Sequence, residues 1–213
     1  YRVSFYVRSE ASGGAVISGA TFANRDMQAT DEWQRRSFIF KTPADLPRGY
    51  IRFGQWHADG RVWIDDVEFS RVRAVTRRSA GIPLGVGEYL QDGTYTYRTR
   101  LSKASSNYSR PSVRHTCGFN SNRWTMGSGA DVLYRFYIPG HRQQSGTFSL
   151  TIGYYNSGEC AVAVRKPGSG WTRLGTFGKS GTHEVNIPAD FYPAKSIEVR
   201  LQSTGSFQID NCT

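Results

Sequence analysis

Cysteine, methionine and lysine are scarce in this sequence of 213 residues. The three cysteines, Cys117, Cys160 and Cys212, are too few for a disulfide scaffold, and none has the CxxC spacing of a zinc site. One disulfide with an unpaired thiol and three reduced thiols both fit this spacing. The cysteines therefore leave the cellular compartment open.

The sequence also lacks the motifs that mark membrane proteins, several classes of enzyme and nucleic-acid-binding proteins. No apolar run is long enough to cross a membrane, and no GxSxG motif marks a nucleophile elbow. The 17 acidic residues show no pair placed for glycoside hydrolysis. Zinc-finger spacing and a helix-turn-helix pattern are missing too. We expect no catalytic site in this stretch, no membrane span and no nucleic-acid partner.

Aromatic residues and glycine are abundant instead, with 12 Tyr, 12 Phe, 5 Trp and 23 Gly. Apolar and polar residues alternate in many short segments that turn residues separate, and no helical period of similar length appears. This pattern is typical of antiparallel sheets packed face to face. The sequence predicts an all-β protein with two antiparallel β-sandwich (jelly-roll) domains in tandem.

The predicted domains differ in completeness. Residues 1–73 contain five strand-like segments, residues 74–84 are a short basic stretch with Gly and Pro that suits a linker, and residues 85–213 contain enough strands for a complete sandwich. The first strand begins at Tyr1 in mid-pattern. We expect the first domain to lack strands at its N-terminal side, and the chain to be part of a longer polypeptide. A strand donated by a neighbouring chain is the alternative.

The charge is strongly positive. Lys and Arg total 27 against 17 acidic residues, which gives a formal net charge of +10, and most of the basic residues are arginine. Arginine binds carboxylates and sulfates through two parallel hydrogen bonds. An anionic polysaccharide is therefore an expected partner, with arginines that only keep the surface soluble as the alternative.

Two adjacent aspartates stand in the strand-like segment "GRVWIDDVEF". Successive side chains of a strand point to opposite faces, so we expect one of Asp65 and Asp66 to lie beside the core. A buried carboxylate needs a partner. A sheet edge, backbone N–H donors and a structural cation are the three alternatives.

The segments "YRVSFYVRS", "SFIFKTP", "YIRFG" and "GRVWIDDVEF" resemble the latter half of a family 4/9-type carbohydrate-binding module, over residues 1–72. Such modules are jelly rolls attached to secreted bacterial polysaccharide enzymes, and an aspartate of the closing strand commonly holds a structural calcium. The resemblance implies that role for Asp65 or Asp66. Residues 85–213 resemble a second, galactose-binding-like jelly roll, in which Glu88 and Asp210 are expected to meet around one cation.

Sugar binding needs an aromatic face for the apolar side of a pyranose and polar groups for its hydroxyls. Two stretches offer this mixture. "FGQWHADG" provides Trp56 and His57 at a strand end. The second stretch is "HTCGFNSNRWTMGSG", which we predict to be a loop, and "NYSRPSVRH" precedes it. The remaining candidates lie in these two segments: Tyr108, His115, Asn120, Asn122, Arg123 and Trp124. A core position for Trp124 and turn positions for the asparagines are the alternatives.

These observations together predict non-catalytic carbohydrate binding by part of a larger secreted bacterial protein. Its role would be to target an attached polysaccharide-degrading enzyme to an acidic or sulfated glycan outside the cell. The alternative is a structural β-sandwich module of an extracellular filament or surface assembly, which would self-assemble through the incomplete first domain.

Overall fold

The computed structural model describes residues 1–20, 22–73, 76–79, 81–99, 101 and 107–213. Apart from one short 3-10 turn, the elements whose bounds it gives are β-strands, and nearly all of their pairs are antiparallel. The prediction of an all-β fold is confirmed. In this described part of the chain, no helix is long and apolar enough to span a membrane.

The strands within residues 1–73 lie in two sheets. Three of them, in the order β4-β1-β6, form a separate sheet, here called the small sheet. The others, in the order β3-β2-β5, form one end of a larger sheet. The strands are β1 (Arg2–Ser9), β2 (Ala15–Ala20), β3 (Ala23–Met27), β4 (Gln34–Ile39), β5 (Ile51–Trp56) and β6 (Val62–Ser70).

The strands of residues 77–213 form two short hairpins and the two main layers of a sandwich. The elements are β7 (Arg77–Ser79), β8 (Ile82–Leu84), β9 (Glu88–Gln91), β10 (Thr94–Tyr97), β11 (Ser112–His115), β12 (Gly118–Asn120), β13 (Arg123–Met126), β14 (Asp131–Tyr137), β15 (Thr147–Tyr155), β16 (Cys160–Arg165), β17 (Thr172–Phe177), β18 (Gly181–Asn186), the 3-10 turn (Ala189–Phe191), β19 (Ser196–Ser203) and β20 (Phe207–Cys212).

One eight-stranded sheet, the long sheet, runs through both parts in the order β18-β15-β20-β13-β12-β3-β2-β5. Its two parts meet where β3 and β12 pair in parallel, with the Phe119 N–H 2.7 Å from the carbonyl oxygen of Phe22. The side chain of Asn107 adds a second connection, because its amide bonds both the N–H and the carbonyl of Lys41, at 2.8 and 2.7 Å.

The division into two domains with a linker at residues 74–84 stays a prediction. Within that stretch, β7 and β8 pair as a hairpin, and Ile82 and Leu84 are buried. Residues 74, 75 and 80 of the predicted linker lie outside the described residues. The predicted absence of strands from the first domain likewise stays a prediction.

The main core lies between the long sheet and a second, five-stranded layer in the order β11-β14-β19-β16-β17, here called the opposing sheet. Trp124 is its largest buried side chain, and its indole N–H donates to the hydroxyl of Tyr134 at 3.0 Å. All three cysteines lie in this core as free thiols. Of the two cysteine states that the sequence left open, the structure shows three unpaired thiols.

A smaller core lies between the small sheet and β3-β2-β5, built around Val3, Phe5 and Phe38. The expectation that one aspartate of β6 lies beside it is wrong. A β-bulge interrupts the pairing of β1 with β6, Asp66 takes a positive φ of 49°, and both Asp65 and Asp66 are exposed. The bulge breaks the alternation on which that expectation rested.

We predict that Trp124→Ala lowers the free energy of unfolding by about 3–5 kcal/mol, because it removes a buried indole and leaves the hydroxyl of Tyr134 without its donor. Trp56→Ala is the matched control, since Trp56 is 60% exposed and its loss should change the stability by less than about 0.5 kcal/mol. Urea unfolding followed by circular dichroism measures both. Equal effects of the two substitutions would contradict the buried position of Trp124.

Candidate functional site

A cleft of about 780 Å³ opens at one end of the main sandwich. Three segments form its walls: the β9–β10 hairpin, the loop of residues 139–146 and the segment of residues 186–192. Small-molecule sites are concave, largely apolar and about 300–1,000 Å³ in volume. The volume of the cleft lies within this range.

The floor of the cleft is aromatic. Tyr97 is buried, with its ring centroid 5.8 Å from that of Phe136, and Phe136 itself is half-buried. Tyr95 and Tyr192 line the walls and are also half-buried. Gly146 leaves room for the hydroxyl of Tyr192, because a Cβ at that position would overlap it. The half-buried rings of Tyr95, Phe136 and Tyr192 can cover the C–H face of a pyranose, whereas Tyr97 supports them from the core.

The rim of the cleft is polar. Arg142, Gln144 and Asn186 are exposed, and within the described residues their side chains make no hydrogen bond to the protein. The Nδ1 of His141 lies 2.9 Å from the carbonyl oxygen of Pro139. That oxygen can only accept, so a neutral His141 carries its proton on Nδ1 and presents Nε2 as an acceptor. The rim therefore offers both donors and acceptors to sugar hydroxyls.

A buried carboxylate holds the hairpin that forms one wall. Glu88 is fully buried and accepts hydrogen bonds from Arg110 Nε at 2.8 Å, the Tyr95 hydroxyl at 2.6 Å and the Gly85 N–H at 2.5 Å. Burial and the hydrogen bond to Glu88 raise the pKa of Tyr95, so its hydroxyl stays a donor. Since Tyr95 lines the cleft, these bonds fix the position of an aromatic wall residue.

The sugar-binding role predicted for two residues is wrong, because both side chains face the core. Trp124 is 1% exposed and His115 is fully buried, so neither can stack on a ligand. Both ring nitrogens of His115 lie near carbonyl oxygens, those of Cys117 at 3.1 Å and Lys41 at 3.2 Å. Burial lowers the pKa of His115, which favours its neutral form.

Three other predicted residues meet on the outer face of the long sheet. Arg123 donates to Asn122 at 3.1 Å and to Gln208 at 3.0 Å, and Asn120 lies opposite Arg123 in the β12–β13 hairpin. The sequence predicts a loop for this segment, and the structure shows the β12–β13 hairpin instead. Successive side chains of a strand point to opposite faces of the sheet. Arg123 therefore points outward, and its neighbour Trp124 points into the core.

The remaining predicted residues lie elsewhere. Trp56 is exposed at the end of β5, an edge of the long sheet, and its ring lies 4.7 Å from that of His57. Tyr108 is half-buried after Asn107. None of the eight predicted sugar-binding residues lines the cleft. The sequence does contain one signal of the cleft. The polar stretch "HRQQSG" lies between two strongly apolar strands and forms part of the cleft wall.

Calcium binding by Glu88 and Asp210 stays a prediction. In the structure each carboxylate has an arginine beside it: Arg110 binds Glu88, and Nε of Arg123 lies 3.4 Å from Asp210. Among the described residues no three His, Cys, Asp or Glu side chains cluster as a metal site. Asp65 and Asp66 are exposed on β6, and calcium binding there stays a prediction.

Comparison with known proteins gives little further information. No family model matches the chain, and no curated protein matches it. One of the similar solved structures is a family GH115 4-O-methyl-alpha-glucuronidase with specificity for decorated arabinogalactans, with a TM-score of 0.32 and 11% identity. The match covers 48% of this chain and 16% of that protein. A likeness this weak carries no argument about fold or function.

We predict that Glu88→Gln lowers the free energy of unfolding by roughly 3 kcal/mol, because it leaves the guanidinium of Arg110 without its anion in a largely buried place. Glu184→Gln is the matched control, since Glu184 is exposed on β18. Thermal and urea unfolding compare the two. A Glu88 variant as stable as the control would show that the pair does not hold the cleft wall.

Proposed function

We propose that this chain binds carbohydrate without catalysing a reaction on it, and that the cleft is the binding site. The observation that supports the proposal is the cleft itself, which the half-buried rings of Tyr95, Phe136 and Tyr192 line. Above them lies a rim of polar side chains that, within the described residues, make no hydrogen bond to the protein. As the resemblance to a carbohydrate-binding module implies, we further propose that the chain is secreted and targets a polysaccharide-degrading enzyme to an acidic or sulfated glycan.

Binding in the cleft follows from two complementary contacts. The apolar C–H face of a sugar ring lies against the aromatic floor, which releases water from both surfaces. The ring hydroxyls then bond to the side chains of Arg142, Gln144 and Asn186, which water solvates in the free protein. Each such hydrogen bond contributes only about 0.5–1.5 kcal/mol net, so several must act together.

A structural role in an extracellular assembly is the second candidate. The observation that favours it is the edge strand β6, on which Val67 and Phe69 are 53% and 54% exposed. An edge strand with exposed apolar side chains can pair with a strand from another chain. Self-assembly through this edge would leave the cleft free, so the two candidates are separable by experiment.

A glycan array tests the cleft. We expect the intact chain to bind at least one oligosaccharide, and the double variant Gln144→Ala with Asn186→Ala to bind it about tenfold more weakly, because two hydrogen bonds are lost. The control pair, Gln28→Ala with Asn156→Ala, removes the same two side-chain types from exposed positions outside the cleft and should bind like the parent.

Equal weakening by both pairs of substitutions would remove the cleft as the site. Binding to no glycan, together with oligomers that grow with concentration in light scattering, would favour the assembly role instead. A parallel array with a chelator tests the predicted calcium, since a structural cation would make binding depend on its presence.

A further inference from the structure

The outer face of the opposing sheet is rich in arginine. Five arginines point outward from its strands, although they are far apart in the sequence. They are Arg114 on β11, Arg135 on β14, Arg165 on β16, Arg173 on β17 and Arg200 on β19. The inward side chains of the same strands, such as Val132, Val162 and Val199, fill the main core.

Strand register aligns three of these arginines in one row across the sheet. Arg114 lies opposite Leu133, Leu133 opposite Arg200, Arg200 opposite Ala163, and Ala163 opposite Arg173. Neighbouring strands lie about 4.8 Å apart, so the three guanidinium-bearing positions recur at intervals of about 10 Å. The residues between them, leucine and alanine, carry no charge. The row is a regular line of positive charge perpendicular to the strands.

A second row shows how a carboxylate binds on this face. Glu198 lies between Arg135 and Arg165 in register and accepts from both, at 2.8 and 2.6 Å. Burial acts to raise the pKa of Glu198, but the two arginines outweigh it and the pKa is lowered. One carboxylate therefore satisfies two guanidinium groups here.

The positive charge of the face is only partly neutralised. Arg114 pairs with Asp131 at 2.6 Å, and Glu198 serves Arg135 and Arg165. Within the described part of the chain, no carboxylate forms an ion pair with Arg173 or Arg200. Among these residues, five arginines against two carboxylates leave an excess of three positive charges.

Trp171 orders one side of the face. The guanidinium of Arg165 lies 4.3 Å from its ring centroid and that of Arg200 lies 4.6 Å from it. Cation–π contacts of this kind hold a guanidinium in place without neutralising it. The ring is consequently engaged by the protein, which leaves it poorly placed to stack on a nucleic-acid base.

We propose that this face, defined by Arg114, Arg173 and Arg200 and here called the arginine row, is a docking surface for a linear polysaccharide that carries uronic acid carboxylates. The carboxylate of Glu198 is the internal precedent, because two other arginines of the same face, Arg135 and Arg165, bind this planar carboxylate through more than one N–H. The inference builds on the proposed carbohydrate-binding function but uses a different face from the cleft.

Affinity electrophoresis in gels that contain polygalacturonate tests the proposal. We expect the double variant Arg173→Gln with Arg200→Gln to lose about tenfold in affinity, because it removes the two arginines of the row without an acidic partner. Arg48→Gln with Arg98→Gln removes the same charge from exposed positions elsewhere and should bind like the parent. Since Arg200 contacts Trp171, Arg114→Gln with Arg173→Gln tests the row with that contact intact.

Changes of salt, pH and competing polymer identify the ligand and the binding face. The affinity should fall with added salt and stay constant between about pH 5.5 and 8, because arginine does not titrate there. Equal losses in the row and control variants would overturn the proposal. Tighter binding to dextran sulfate, which carries sulfates but no carboxylates, or to duplex DNA than to polygalacturonate would overturn it too. Loss of polygalacturonate binding in the cleft variant alone would also overturn it, while supporting the proposed function of the cleft.

Discussion

The cleft depends on the ion pair and the hydrogen bonds that the buried carboxylate of Glu88 forms. Charge in a fully buried place is costly unless opposite charge and hydrogen bonds compensate it. Glu88 obtains both from Arg110, Tyr95 and the Gly85 N–H, which come from different segments of the chain. The need to satisfy one carboxylate thus fixes the β9–β10 hairpin against the end of the sandwich, and with it the aromatic wall of the cleft.

Strand alternation and register distribute the functional chemistry over separate surfaces. A strand that fills the core with valine and isoleucine presents every second side chain to solvent, so a sandwich has outer faces as well as an inner one. On the opposing sheet this places Arg114, Arg200 and Arg173 in one row. No stretch of sequence shows that row, because it exists only across the strands.

The fold class could be predicted from the sequence because period-two hydrophobicity is a local property. The predicted strand "YRVSFYVRS" is β1 almost residue for residue. The segment around Trp124 was harder to interpret, since Gly, Asn and Ser suggested a loop. It is a tight hairpin in which Ser121 takes a positive φ of 50°. The polar stretch "HRQQSG" indicates one segment of the cleft, but the cleft as a whole could not be predicted, because three segments separated by dozens of residues form it.

The two proposed surfaces would contribute to binding in different ways. Stacking on the aromatic floor of the cleft is insensitive to salt, whereas attraction to the arginine row is long-ranged and screened by it. Each alone is modest, since exposed charges and single sugar contacts contribute little. A polysaccharide chain that reached both would bind the second site intramolecularly, and its affinity would then exceed that of either site alone. An extended polymer suits such a molecule better than a small sugar, because only a polymer can reach from the end of the sandwich to one of its faces.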